Sequence, residues 1–187
     1  MEARATPARR NAAATKARIF AAAQQAFSDV GYAQAGIRHI AAIAEVDAAL
    51  IQRYFGSKAG LYEAALIEAV PQFSGLDLAH HGFGSRLTDR FLEALLDMRA
   101  QSMIALSTSD PEAREISTRV MREHAVKPLA EWLGPPNAEA RAIRMLMLTT
   151  SFMLYTRQIP LMTPQEAVRS ATSAWLAGAL QEIIDER

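Results

Sequence analysis

Cysteine is absent from the 187 residues. Its absence excludes disulfide staples, zinc ribbons and thiol nucleophiles together, and suits a chain that works in the reducing cytoplasm. An excess of one charge is missing too, since 20 Lys/Arg balance 20 Asp/Glu. No apolar run reaches membrane-spanning length. The longest uncharged apolar stretch, Met145 to Thr156, is bracketed by Arg144 and Arg157, whereas a span needs roughly 20 residues; it reads as a buried helix, and no membrane partner is expected. The opening MEARATPARRN has arginines but no apolar run behind them, so it does not read as a secretion signal. Gly-x-Ser-x-Gly, a phosphate-binding glycine loop and metal-ligand spacings are all lacking. A hydrolase or transferase is therefore the least supported class, and neither a metal nor a cofactor is expected. Beta-branched residues never alternate over a useful length, which argues against strands, and no repeat recurs at a solenoid period.

Half of the residues are apolar, enough for one sizeable core or two small ones. The balanced charge is unevenly spread. Through Val70, eight bases (Arg4, Arg9, Arg10, Lys16, Arg18, Arg38, Arg53, Lys58) stand against six acids (Glu2, Asp29, Glu45, Asp47, Glu63, Glu68), and twelve bases face fourteen acids in the remainder. A mildly cationic first third permits a polyanion partner.

Nearly everything reads as helix. Thr15 is placed as N-cap of KARIFAAAQQAFSDVGY, where Ile19, Ala23, Ala26, Phe27 and Val30 fall at helical spacing and Gly31 supplies a stop. After a link from Tyr32 to Gly36, Ile37, Ile40, Ala41 and Ala44 mark a short amphipathic helix. Glu45-Val46-Asp47 interrupts it, with Asp47 placed to cap Ala48 to Phe55. Two short helices joined by a three-residue turn are the pattern of a helix-turn-helix. Ser57 caps the next helix, Lys58 to Val70, halted by Pro71. Residues 73 to 86, with Gly75, Gly82 and Gly84, read as a connector. Beyond it, 87 to 106 reads as one helix and 110 to 133 as another bent near Pro128. Gly134-Pro135-Pro136-Asn137 is a break, and a last pair of helices, about Ala138 to Arg157 and Pro164 to Glu186, is parted by Pro160 and Pro164.

A recognition helix rests an apolar face on its neighbours and turns a short polar face to the major groove. Leu50, Ile51 and Phe55 supply the first; Ala48, Ala49, Gln52, Arg53 and Tyr54 remain for the second. Gln and Arg bond base edges, Tyr hydroxyls and Lys ammoniums hold phosphates, and Lys58 adds charge at a helix start where amide donors already favour an anion. The plain alternative is an ordinary solvated face.

Gly31-Tyr32, Ile40-Ala41, Val46, Tyr54-Phe55, Ser57-Lys58 and Leu61-Tyr62 follow one another in a set order. In that order residues 13 to 73 resemble the N-terminal domain of the tetracycline-repressor-like (TetR) regulators. The resemblance implies an all-α homodimer. Residues 13–73 would be a three-helix DNA-binding domain with its helix-turn-helix at about 36–55, and 74–187 a helical ligand-binding and dimerisation domain; residues 1–12 read on their own composition as a disordered basic arm, with a minor-groove clamp as the alternative. It implies a repressor bound to a double-stranded, pseudo-palindromic operator and released by an apolar or amphipathic small-molecule inducer. Thr15, Arg38 and His39 join the DNA-facing set. The resemblance also implies a pocket, expected around Phe91, Leu95, Met98, Met103, Met121, Trp132, Met147, Phe152 and Tyr155, whose plain alternative is core. Ile143, Val168, Trp175, Leu176, Ala179 and Ile183 would make half of a four-helix interface.

Three positions depart from the family pattern. Glu45 stands where Gly is usual, so a positive φ at a non-glycine residue is expected there. Gln52 stands in place of Tyr, and Gly36-Ile37 in place of a hydroxyl-bearing helix start. The operators of relatives therefore do not carry over. His80-His81 sit in the connector without a trustworthy carboxylate spacing and His124 lies in a charged helix, so neither reads as a metal site. The second function considered is a small helical carrier of hydrophobic molecules, which needs the same pocket but binds no DNA.

Overall fold

Side-chain caps set the starts of two consecutive helices, Asp47 that of Ala48–Phe55 and Ser57 that of Lys58–Ala69. The computed structural model describes residues 7–70, 79–93, 99–159, 161 and 165–186, and all regular structure among them is helical. In chain order the helices are α1 (Pro7–Gln34), α2 (Ile37–Ile43), α3 (Ala48–Phe55), α4 (Lys58–Ala69), α5 (Phe83–Leu92), α6 (Arg99–Ser107), α7 (Pro111–Met121), α8 (Lys127–Leu133), α9 (Ala138–Met153) and α10 (Glu166–Asp185). π-helical turns occupy Arg122–Val126 and Leu154–Gln158. None of these helices is long and apolar enough to cross a membrane.

The described residues group into two compact units, one from Met1–Val70 with Arg99–Val120, the other from Pro71–Met98 with Met121–Arg187. In the first, α1 packs on α2, α4 and α6 around Ile19, Phe27, Ile40, Ile51, Leu61, Leu66 and Met103. Gly31, at φ 74 and ψ 171, breaks α1 as expected. It also permits a close approach, because a Cβ there would stand 2.5 Å from the Leu106 carbonyl oxygen. Tyr32 then donates its backbone N–H to Ser107 Oγ at 2.9 Å, and the rings of Phe27, Tyr32 and Tyr62 pack edge-on or stacked with centroids 5.0–6.1 Å apart.

The second unit is a four-helix core of α5, α8, α9 and α10 built on Phe83, Phe91, Leu129, Met145, Phe152, Leu176 and Leu180. α5 crosses α10 so closely that a Cβ on Gly84 would lie 2.2 Å from the Ala177 carbonyl oxygen. Arg141 is 1% exposed and, among the described residues, has no carboxylate partner. Its guanidinium donates instead to the carbonyls of Ile183 (2.7 Å), Ile184, Gly134 (3.0 Å) and Pro136 (3.2 Å). A buried cation is tolerable when every donor is met, and two of these acceptors are orphan carbonyls at the negative end of α10.

Several boundaries differ from the expectation. α1 begins at Pro7, so Thr15 lies inside it rather than at its cap, and Val30 is exposed. α5 starts at Phe83, inside the expected connector, because Gly84 serves packing rather than flexibility. The helix expected over 87–106 ends at Leu92 and resumes at Arg99, with 94–98 outside the described residues. Near Pro128 the chain stays helical. That residue has no N–H to give the preceding turn, and the π turn over Arg122–Val126 takes up the mismatch, with Lys127 donating to Arg122 O. The stop at Pro71 lies outside the described residues.

The α2–α3 corner matches the reading of Glu45. Glu45 N donates to Ala42 O (3.2 Å) and Val46 N to Ala41 O (3.0 Å), a Schellman motif whose pivot must be left-handed. Glu45 holds that pivot at φ 54, at a cost of roughly 1 kcal/mol for a side chain. Its ion pair with Arg18, at 3.9 Å between exposed groups, offsets little of this. Glu45→Gly is therefore expected to raise the melting temperature by about 3 °C, read by calorimetry; an unchanged or lower value would contradict strain at this corner.

Candidate nucleic-acid interface

α3 is eight residues long and is fixed at both ends. Asp47 Oδ1 accepts from Ala49 N at 2.7 Å, and Gly56, at φ 72, donates its N–H to Gln52 O at 2.8 Å. Ile51 is the buried residue of the helix, while Leu50 and Phe55 are half-buried. The Phe55 ring meets that of Phe20 on α1 at 5.5 Å. Ala49, Gln52 and Arg53 point outward, and Ala48 and Tyr54 are half-buried. The small residues at the start leave the first turn of α3 unobstructed, and Arg53 lies over the Tyr54 ring at 5.5 Å, which restrains the most versatile base-reading side chain.

Two residues of the expected DNA-facing set are engaged within the protein. Gln52 Nε2 donates to the Gly56 carbonyl, so its free capacity is mainly the Oε1 acceptor and the second N–H. Lys58 Nζ donates to Ala33 O at 3.2 Å and sits 4.5 Å over the Tyr32 ring. It ties the start of α4 to the last turn of α1, with further N–H donors to spare. Ser57 caps α4 by accepting from Gly60 N at 3.0 Å. Arg38 and His39 are exposed in the first turn of α2. Gly36 gives that helix no side-chain cap, in line with the missing hydroxyl. Thr15 is half-buried on α1. Sequence reasoning missed Lys16, whose ammonium lies 6.0 Å from the Phe20 centroid and 5.9 Å from that of Phe55; the i, i+4 spacing of Lys16 and Phe20 was the available signal.

Behind this face, a polar cluster holds α1 and α4 to α6 and α7. The Tyr62 hydroxyl donates to Met103 O at 3.3 Å and lies 3.0 Å from Ser117 Oγ. The Tyr32 hydroxyl donates to the Glu112 carboxylate. Burial first, and the Glu112 carboxylate second, raise the Tyr32 phenol well above its ordinary 10.0.

The residues expected around a pocket are not all brought together. Phe91 and Phe152 are buried in the second unit with ring centroids 6.3 Å apart, and half-buried Trp132 packs on Phe83 at 4.5 Å and His80 at 4.6 Å. Met121 is half-buried beside the first π turn. Met103 belongs to the core of the first unit. Met147 and Tyr155 are 62% and 46% exposed, because they lie on the outer side of α9 and the turn that follows. Leu95 and Met98 lie outside the described residues. Of the expected interface set, Ile143, Val168 and Trp175 are exposed and Ala179 is half-buried, whereas Leu176 and Ile183 turn into their own core. Among the described residues, no three His, Asp or Glu side chains converge as metal ligands.

Residues 19–65 match the sequence profile described as bacterial regulatory proteins, tetR family, and residues 81–184 match that of the tetracyclin repressor-like C-terminal domain. No curated protein matches the chain. Two solved structures share its fold: a TetR-family regulator from Streptomyces coelicolor A3, at 22% identity and a TM-score of 0.53, covering 93% of this chain and 96% of that one; and a TetR transcriptional regulator from Rhodococcus sp. RHA1, at 16% identity and 0.55, covering 93% and 99%.

The Tyr32 shift has a measurable consequence. A phenol held protonated by the fold contributes its full stability below pH 10.0 and loses it as pH rises beyond, since the unfolded chain ionises first. Melting temperature measured from about pH 9 to about pH 11 is expected to fall more steeply for the native chain than for Tyr32→Phe; parallel slopes would refute the assignment.

Proposed function

Because the chain belongs to the TetR family of bacterial DNA-binding transcription regulators, we propose that it is a dimeric, cytoplasmic repressor. Each subunit lays α3 in a major groove of a pseudo-palindromic operator, with half-sites about one helical turn (~34 Å) or slightly more apart. The observation that carries this reading is the outward sector Ala49, Gln52 and Arg53 on a helix capped at both ends by Asp47 and Gly56. Arg53 reads a base edge, Tyr54 and Lys58 hold phosphates, and Arg38 and His39 meet the backbone from α2. Thr15, on α1, flanks the same duplex.

The second copy docks on the outer stripe of α9 and α10, where Ile143, Met147, Val168 and Trp175 are exposed apolar side chains at helical spacing. Large exposed apolar residues in such a stripe fit a helix-on-helix interface better than solvent. An apolar or amphipathic inducer, taken up near Phe91, Trp132 and Phe152, favours a dimer whose recognition helices are wrongly spaced. Induction is then a coupling between two sites.

Gel-shift titration against DNA flanking its own gene, at two salt concentrations, tests the reading. Salt-sensitive binding is expected; none would favour the carrier of hydrophobic molecules instead. Arg53→Ala is expected to weaken operator binding about tenfold to a hundredfold without changing the melting temperature. Trp175→Glu is expected to yield a monomer in sedimentation and to lose cooperative operator binding, and a stable dimer in that variant would remove α10 from the interface.

A further inference from the structure

Lys16 carries a role that the reading of α3 leaves open. It lies one turn before Phe20 on α1, on the same face, and its ammonium stands 6.0 and 5.9 Å from the Phe20 and Phe55 rings. The two rings are themselves in contact at 5.5 Å. Such a seat restrains a flexible lysine by its attraction to the ring faces while the side chain stays exposed. Among the described residues no carboxylate pairs with it: Glu45 is paired with Arg18, and Asp47 is turned to the α3 cap. Among the described residues the charge of Lys16 is thus positioned by the two rings and uncompensated.

Its place relative to α3 gives the charge a direction. Successive residues of an α-helix are about 100° apart, so Phe55 lies about 60° round the axis from Gln52. The Phe55 ring forms one flank of the exposed sector, and Lys16 sits above that flank. A helix seated in a major groove has base edges in front of it and a phosphate strand along each side. A restrained cation on the flank faces a phosphate strand and not a base.

We propose that Lys16 is a phosphate anchor for α3, acting through a ring seat that α1 and α3 build jointly. This rests on the reading of α3 as the groove helix. The anchor is independent of sequence: it strengthens binding to any duplex, and it sets the depth and register at which Gln52 and Arg53 meet the bases. Because Phe20 and Phe55 hold it, the anchor moves with α3.

The test uses the full-length protein and two fluorescein-labelled duplexes, one selected from a random pool by the native protein and one of scrambled sequence. Binding is followed by anisotropy over a range of KCl concentrations. For Lys16→Gln the slope of log K against log[KCl] is expected to become shallower by about 0.9 per subunit, roughly 1.8 for a dimer, on both duplexes. Lys16→Arg is expected to keep the native slope. If Lys16→Gln weakens binding but leaves the slope intact, the lysine only supports the packing of α3 and the proposal fails. It also fails if the slope changes on the selected duplex alone, since that is base reading. Arg53→Ala separates the two readings. Should Arg53→Ala lose the selected duplex while Lys16→Gln matches the native protein on both, only the anchor is overturned. Should the native protein enrich no duplex from the pool and not bind the scrambled one, the groove-helix reading and the anchor fall together.

Discussion

An eight-residue helix has no stability of its own in water, because the cost of fixing its first turn is not recovered over so few hydrogen bonds. α3 can present side chains to a partner only if the rest of its unit imposes its position. One buried residue, Ile51, together with the half-buried Leu50 and Phe55, connects it to the core. The helix ends supply what the short apolar face cannot. Asp47 meets a first-turn amide, Gly56 closes the last turn, and the Gln52 amide folds back on the Gly56 carbonyl. Behind α3 the burden passes to α1, which is long and tied to α6 at Gly31 and Tyr32, and to α4, tied through Tyr62.

The corner between α2 and α3 shows what this arrangement tolerates. A Schellman pivot is easiest for glycine, yet Glu45 occupies it at φ 54. Strained backbone persists where its surroundings over-determine it. Here the two hydrogen bonds to Ala41 and Ala42 and the Asp47 cap immediately after leave the chain no other path. Glycine at the pivot would also be free to visit other turns when unfolded, so glutamate narrows the alternatives while raising the local energy.

Where a single residue type answers a single backbone need, the sequence was legible. The sequence marks Asp47 and Ser57 as caps, Gly31 as a break and Glu45 as a left-handed corner, and each is so because short-range chemistry decides it. Legibility failed where one residue serves two opposed purposes. Gly84 reads as a breaker but sits inside α5, since it alone lets that helix approach the Ala177 backbone. Pro128 reads as a bend, but a π turn upstream absorbs it. Nothing in the sequence around Arg141 marks it as buried. Its burial depends on carbonyls contributed by Ile183 and Ile184, more than forty residues away, a separation that no local pattern reveals. Lys16 is legible only in part: its spacing to Phe20 is local, but the second ring of its seat, Phe55, stands on α3.

The stripes on α10 illustrate the limit of periodicity and also what lies beyond it. Leu176, Leu180, Ile183 and Ile184 are buried against α5 and α9, whereas Val168 and Trp175 face outward on the same helix. A 3.6-residue period marks both sets as apolar and does not say which one a single chain covers. Once the inner set is satisfied, the outer one is left with a tryptophan 59% exposed, an arrangement that favours a partner surface over water. Arg141 bears on this too. By holding the carbonyls of Ile183 and Ile184 from α9, it fixes the axial rotation of the last turn of α10, and with it the direction in which the outer stripe points. A buried cation that sets the angle of a helix thereby decides which residues of that helix its own unit covers and which it leaves outward.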